Sequence, residues 1–139
     1  MTFSAVNYVT ILVAAIAGWL TGAIWYGAFG KQWLAALGKT KEDVAMQRGT
    51  PAFYLPFVLA FIANLIMAWV LAGLIKHIGP VTIRAGLISG GFCWFGFVLT
   101  TIIVNNAFGG RKYVLTTIDA GHWLAVLLVI GAILGGLGV

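Results

Sequence analysis

Residues 113–138 read YVLTTIDAGHWLAVLLVIGAILGGLG, a run in which Asp119 is the one carboxylate and no lysine or arginine occurs. A helix rises about 1.5 Å per residue, so this stretch exceeds the roughly 20 residues needed to cross a hydrocarbon core about 30 Å thick. Three earlier runs have the same character: 5–28, 53–75 and 85–108. Each is continuously apolar instead of alternating, which excludes the strands of a membrane barrel. The expected fold is all-α and polytopic: four transmembrane helices, with a short amphipathic helical loop between helices 1 and 2. They form a single four-helix transmembrane domain over 1–139.

Composition leads to the same class. Of 139 residues, 62% are hydrophobic and 8% charged, against about 25% charged in a soluble domain. That is too little polarity to face water and too much apolar surface for disorder. The single Cys93 leaves neither an internal disulfide nor a cysteine-based zinc site. The net charge of +5 is scattered over short loops and forms no basic patch interleaved with aromatics, so no nucleic-acid partner is expected. No basic residue precedes the first run, and the run is too long for a signal core, so it is read as retained.

The loops set an orientation. Lys31, Lys39, Lys41 and Arg48 follow the first run and Arg111 and Lys112 the third, while the second connection holds Lys76 and Arg84. Six cations against two place the first and third loops in the cytoplasm of a bacterial inner membrane, with both termini outside. Trp25, Tyr26, Trp33, Tyr54 and Tyr113 then fall at the cytoplasmic interface as an aromatic belt.

The first loop is the main region outside lipid. Residues 31–37, from Lys31, read as a short amphipathic turn closed by Gly38, with Trp33, Leu34 and Leu37 against the membrane surface, and the loop is read as a plain interfacial connector or as a docking surface for a partner. Thr40 with Asp43 has capping-box spacing and starts a second short helix through Gln47; Glu42 and Asp43 form a solvated charged turn. Gly38-Lys39-Thr40 is not the end of a phosphate loop, because Trp33 stands where that motif needs glycine.

Within the runs, small residues recur at helical spacing: Ala14, Gly18 and Gly22; Ala60, Asn64, Ala68 and Ala72; Gly86 and Gly90; Gly131 and Gly135. Lipid tails are as apolar as leucine, so helices associate where such seams let backbones approach. The seams predict a tight bundle, and some of them are candidates for contacts between subunits. Asn64 and Asn7 are expected to hydrogen-bond across helices.

Polar residues inside the runs are the functional leads. Asp119 lies about 9 Å beyond Tyr113 along a helix, and His122 shares its face at i+3. Asn105 and Asn106 end the third run in the same leaflet. With Arg111 and Lys112 between them, these residues make the densest polar cluster below the membrane surface. It reads either as Asp119 pairing locally with the turn cations, or as proton or ion handling with His122 as relay. Asp119 and His122 supply too few ligands for a metal, and no cofactor is implied. Ser4 and Ser89 lie in no nucleophile elbow and no run holds paired carboxylates, so no enzyme is expected.

Trp25-Tyr26, Phe29-Gly30-Lys31 with Trp33, and Leu37-Gly38 with Thr40, Glu42 and Asp43 resemble the signature of an uncharacterised bacterial membrane family, domain of unknown function 1761. The likeness extends through Asn7-Tyr8, Trp94 with Phe97, and Asp119-Ala120-Gly121. It implies a four-helix membrane fold and no particular activity. Gly27-Ala28 stands where that pattern has Ser-Pro, and His122 where it has an aromatic. A short echo links 28–31 with 107–112, as in two helix hairpins repeated in parallel.

The expected function is that of a non-enzymatic membrane component, a homo-oligomer or a subunit of a larger membrane complex in contact with membrane lipids. The alternatives are a small transporter or channel for protons, ions or small solutes using Asp119, and a protein binding a lipid or aromatic ligand.

Overall fold

Asn7 opens the first helix. Its side-chain oxygen accepts from the amides of Val9 and Thr10 at 3.1 and 3.3 Å, satisfying donors that a helix start leaves open. Asn7 is therefore a cap, and the expected hydrogen bond to another helix does not form. The computed structural model describes residues 5–139; Ser4 lies outside them. They form α1 (Tyr8–Leu37), α2 (Lys41–Ala45), α3 (Pro51–Ile78), α4 (Ile83–Cys93), a π-helical turn (Trp94–Leu99), α5 (Thr100–Phe108) and α6 (Tyr113–Leu137). No strand occurs among the described residues. Four helices are long and apolar enough to cross a membrane: α1, α3, the continuous Ile83–Phe108 and α6. The protein is a multi-pass membrane protein.

The first helix corrects the expected boundaries. α1 continues through Lys31 to Leu37, so residues 31–37 are no separate interfacial turn. Nothing before Gly38 breaks the helix. Gly38 adopts a left-handed φ of 71° and its amide returns to the carbonyls of Ala35 and Leu34, the glycine-stopped end that L residues resist. The 28–31 half of the internal echo is accordingly mid-helix, whereas 107–112 spans a helix end and turn, so the two are not structural equivalents.

Thr40 and Asp43 form the anticipated capping box. The Asp43 amide donates to the Thr40 hydroxyl at 3.2 Å and the Thr40 amide to the Asp43 carboxylate at 2.9 Å. α2 ends at Ala45, short of Gln47, which lies in the following turn. The Thr40 backbone and side-chain hydrogen bonds, aided by Lys39, hold the Asp43 carboxyl below the usual carboxylate range. A lowered carboxyl stabilises the folded loop above its unfolded pKa and loses that contribution as pH falls through the folded value. Amides 40–45 are thus expected to lose hydrogen-exchange protection below about pH 4, while Asp43→Asn starts from weaker protection and shows less of this loss.

α6 is the central helix. It packs against α1 and α4, and α1 packs against α3. The core is built from Val6, Ile11, Ala14 and Ala15, from Ala68, Leu71, Ala72 and Ile75, and from Val126, Leu127, Ile130 and Leu134. All of these lie toward the end of the bundle that carries the chain termini and the α3–α4 connection. No described residue in 91–108 is buried, and α3 has none before Asn64.

The glycine seams explain the closest packing. A Cβ on Gly86 would stand 1.8 Å from the Gly131 carbonyl oxygen, and one on Gly131 would stand 2.2 Å from the Gly86 oxygen. Gly90 meets the Leu127 oxygen and Gly135 the Thr82 oxygen in the same way, at 2.6 and 2.1 Å. Each oxygen occupies the space a side chain would need, with the glycine Cα–H directed toward it, the contact geometry that recurs where helices touch. The α4 and α6 seams therefore face each other within one chain.

Candidate functional site

Asp119 sits in the second turn of α6, half-buried. Because α1 runs unbroken past residue 30, Tyr26 and Trp33 fall two helical turns apart on one face and both reach it. The Tyr26 hydroxyl donates to Asp119 Oδ1 at 2.5 Å and the Trp33 indole N–H donates to the same oxygen at 3.1 Å. These two are the only hydrogen-bond partners of Asp119 among the described residues. Arg111 and Lys112 do not pair with it, which corrects the expectation that the turn cations neutralise this acid. Both are exposed, and Arg111 lies over Gly109, within 3.6 Å of where a Cβ there would stand.

Two more indoles fasten the same stretch through its backbone. Trp25 donates to the Ile118 carbonyl at 3.0 Å, and Trp94 to the Ala120 carbonyl at 2.8 Å. Each carbonyl has a second lone pair beyond its helical bond, so a helix accepts such donors without breaking. Trp94 stands at the start of the π-helical turn, a local widening that often accompanies functional sites. Carbonyls loosened there receive the threonines that follow: Thr100 donates to Gly96 at 2.9 Å and Thr101 to Phe97, as lipid surroundings demand. Gly121 lets the Trp25 ring lie against α6, since a Cβ there would stand 2.7 Å from it.

His122 is 8% exposed. Its ring lies 4.8 Å from the Tyr26 ring and 4.5 Å from that of Trp123. Its Nε2 fills the notch left by Gly22, 2.8 Å from where a Cβ there would stand, and its Nδ1 has no hydrogen-bond partner. It shares the aromatic wall of Asp119 but no hydrogen bond with it.

The remaining candidates separate. Asn106 donates to the Thr116 hydroxyl at 3.0 Å and closes the α5–α6 turn, while the Asn105 side chain is exposed, so neither joins Asp119. Asn64 is 2% exposed, yet its amide donates to Ala60 of its own helix at 2.8 Å and its Oδ1 has no partner; the expected hydrogen bond across the bundle is absent. Lys31 and Glu42 are exposed and Asp43 is the α2 cap. Of the expected aromatic belt, Tyr54 and Tyr113 are exposed, but Trp25, Tyr26 and Trp33 turn inward to α6. That inward turn was invisible in the sequence, where an interfacial Trp reads as a lipid anchor.

Among the described residues no group of three His, Cys, Asp or Glu side chains is placed to hold a metal ion. The arrangement fixes one carboxylate beside two aromatic donors, with Oδ1 engaged by Tyr26 and Trp33 and Oδ2 taking no described hydrogen bond.

Comparison with curated proteins and with solved structures gave no match. The family model described as protein of unknown function, DUF1761, matches residues 9–135, a span that holds Tyr26, Trp33, Trp94 and Asp119, and the chain therefore belongs to that family.

Proposed function

We propose that the protein is a non-enzymatic component of a bacterial inner membrane, acting as a homo-oligomer or as an accessory subunit of a larger membrane complex. The observation that carries this reading is the one-sided packing of the third span. Gly86 and Gly90 are spent on α6 while Gly91 and Gly96 face no neighbour, and only 6% of its apolar window is buried, against 44% for α6. Its outer side carries Phe92, Phe95, Phe97 and Phe108, each at least 64% exposed. Lipid solvates such a face, and a second helix with complementary rings packs on it with more contact per residue. Six loop cations against two support an orientation with both termini outside the cytoplasm. Purification in native lipid followed by mass measurement is expected to give a multiple of the chain mass or a defined complex; a strictly monomeric species without partner overturns the reading.

A second reading, a small transporter for protons or cations, is favoured by one observation: Asp119 is an acid within a span whose two partners, Tyr26 and Trp33, are both uncharged. Intramembrane acids of that kind mark ion and proton paths. Flux into proteoliposomes is then expected to collapse in Asp119→Asn, and unchanged flux removes Asp119 from any transport step.

A further inference from the structure

Asp119 offers a ligand two things at once. Oδ1 is held by Tyr26 and Trp33, which fixes the plane of the carboxylate, while Oδ2 takes no described hydrogen bond. Tyr26 and Trp33 reach the carboxylate by their O–H and N–H edges, their ring centroids lie 5.5 Å apart, and the His122 ring lies 4.8 Å from that of Tyr26. An anion is repelled from such a site. A small divalent ion needs several oxygen ligands, and one free carboxylate oxygen does not replace its water shell. An alkylated ammonium fits both features: its charge meets the carboxylate, its carbon-bound hydrogens meet the electron-rich ring faces, and its weak hydration makes entry from the interface inexpensive.

We propose that Asp119, Tyr26 and Trp33 form a binding site for an organic ammonium group, seated on Oδ2 against the aromatic rings. Two sources share that chemistry: the choline or ethanolamine head of a membrane lipid, and a free amphiphilic amine. The site rests on the second reading above only in giving Asp119 a cation to hold, and it does not require that the cation cross the membrane.

The test uses the full chain in nanodiscs of phosphatidylglycerol alone, titrated with benzyltrimethylammonium at constant ionic strength and followed by tryptophan fluorescence. A saturable change is expected. In Asp119→Asn, which keeps an acceptor for Tyr26 and Trp33 but removes the charge, affinity is expected to fall about tenfold or more, and the residual response measures adsorption to the lipid surface. Tyr26→Leu, which removes a ring and keeps the acid, is expected to lose affinity as well and carries the test if Asp119→Asn does not fold. Repeating the titration with phosphatidylcholine or phosphatidylethanolamine added separates the sources: a competing lipid head weakens the probe, whereas an unchanged affinity assigns the site to free amines. No saturable response in the wild-type chain, or an equal response in both variants, overturns the proposal. Binding without flux removes only the transport reading, and flux without binding removes only the ammonium site.

Discussion

Gly86→Val is expected to separate the third span from α6. The added Cβ would land 1.8 Å from the Gly131 carbonyl oxygen, and the atoms it meets are backbone of a helix held close on either side, since a Cβ on Gly90 or Gly135 would likewise stand 2.6 or 2.1 Å from a backbone oxygen across the same seam. Overpacking a close-packed contact costs typically 1–3 kcal/mol and occasionally more. Here the clash is with backbone and also breaks the reciprocal Cα–H contacts along the seam, so a loss at or above about 3 kcal/mol is expected. Unfolding in mixed micelles with rising dodecyl sulfate would show it as a large drop in midpoint. Gly91→Ala is the control, since nothing lies within 4 Å of its Cβ position. Equal midpoints for the two variants would mean that the α4–α6 seam is not closed in the folded protein.

Gly18→Ala is the second. Its Cβ would lie 2.3 Å from Asn64 Oδ1 and 2.9 Å from Ile130 Cδ1, a side-chain clash with a cost of about 1–3 kcal/mol. The obstructing oxygen is itself without a hydrogen-bond partner, so Asn64→Ala removes a group that gains little from its position and leaves space where the introduced methyl fits. The two substitutions together are expected to cost at least about 1 kcal/mol less than their sum. A double-mutant cycle in the same assay measures this, and strict additivity would show that Asn64 and Gly18 do not touch.

The spans, the Gly38 stop and the Thr40–Asp43 cap were legible from local chemistry, because each depends on residues within a few positions of one another. The partners of the seams were not. A glycine stripe announces that some backbone will come close, but a carbonyl of Leu127 or Thr82 has no distinguishing mark in the chain. The site was hidden by a related cause. Ending the first run at Ala28 and reading 31–37 as a separate turn parts Trp33 from Tyr26, although neither Gly30 nor the polar Lys31 and Gln32 oblige a helix to stop, and it ends only at the left-handed Gly38. Once α1 runs to Leu37, both rings meet an acid that lies 86 and 93 positions away. The expected pairing of Asp119 with Arg111 and Lys112 rested on nearness in sequence, whereas their exposed side chains stay hydrated outside the apolar stretch.

The largest apolar cluster lies toward one end of the bundle, while Leu115, Ile118 and Ala120 of α6 are buried at the other. Toward the termini, α1, α3 and α6 are joined by many interchangeable methyl contacts, which yield little and fail together. Toward the first and third loops, α1 and α6 are joined by a few indole and phenol donors, each of which is made or broken as a single event. The Asp119 end is therefore expected to open at lower cost than the apolar end, with amides around Asp119 exchanging hydrogen before those of 126–134.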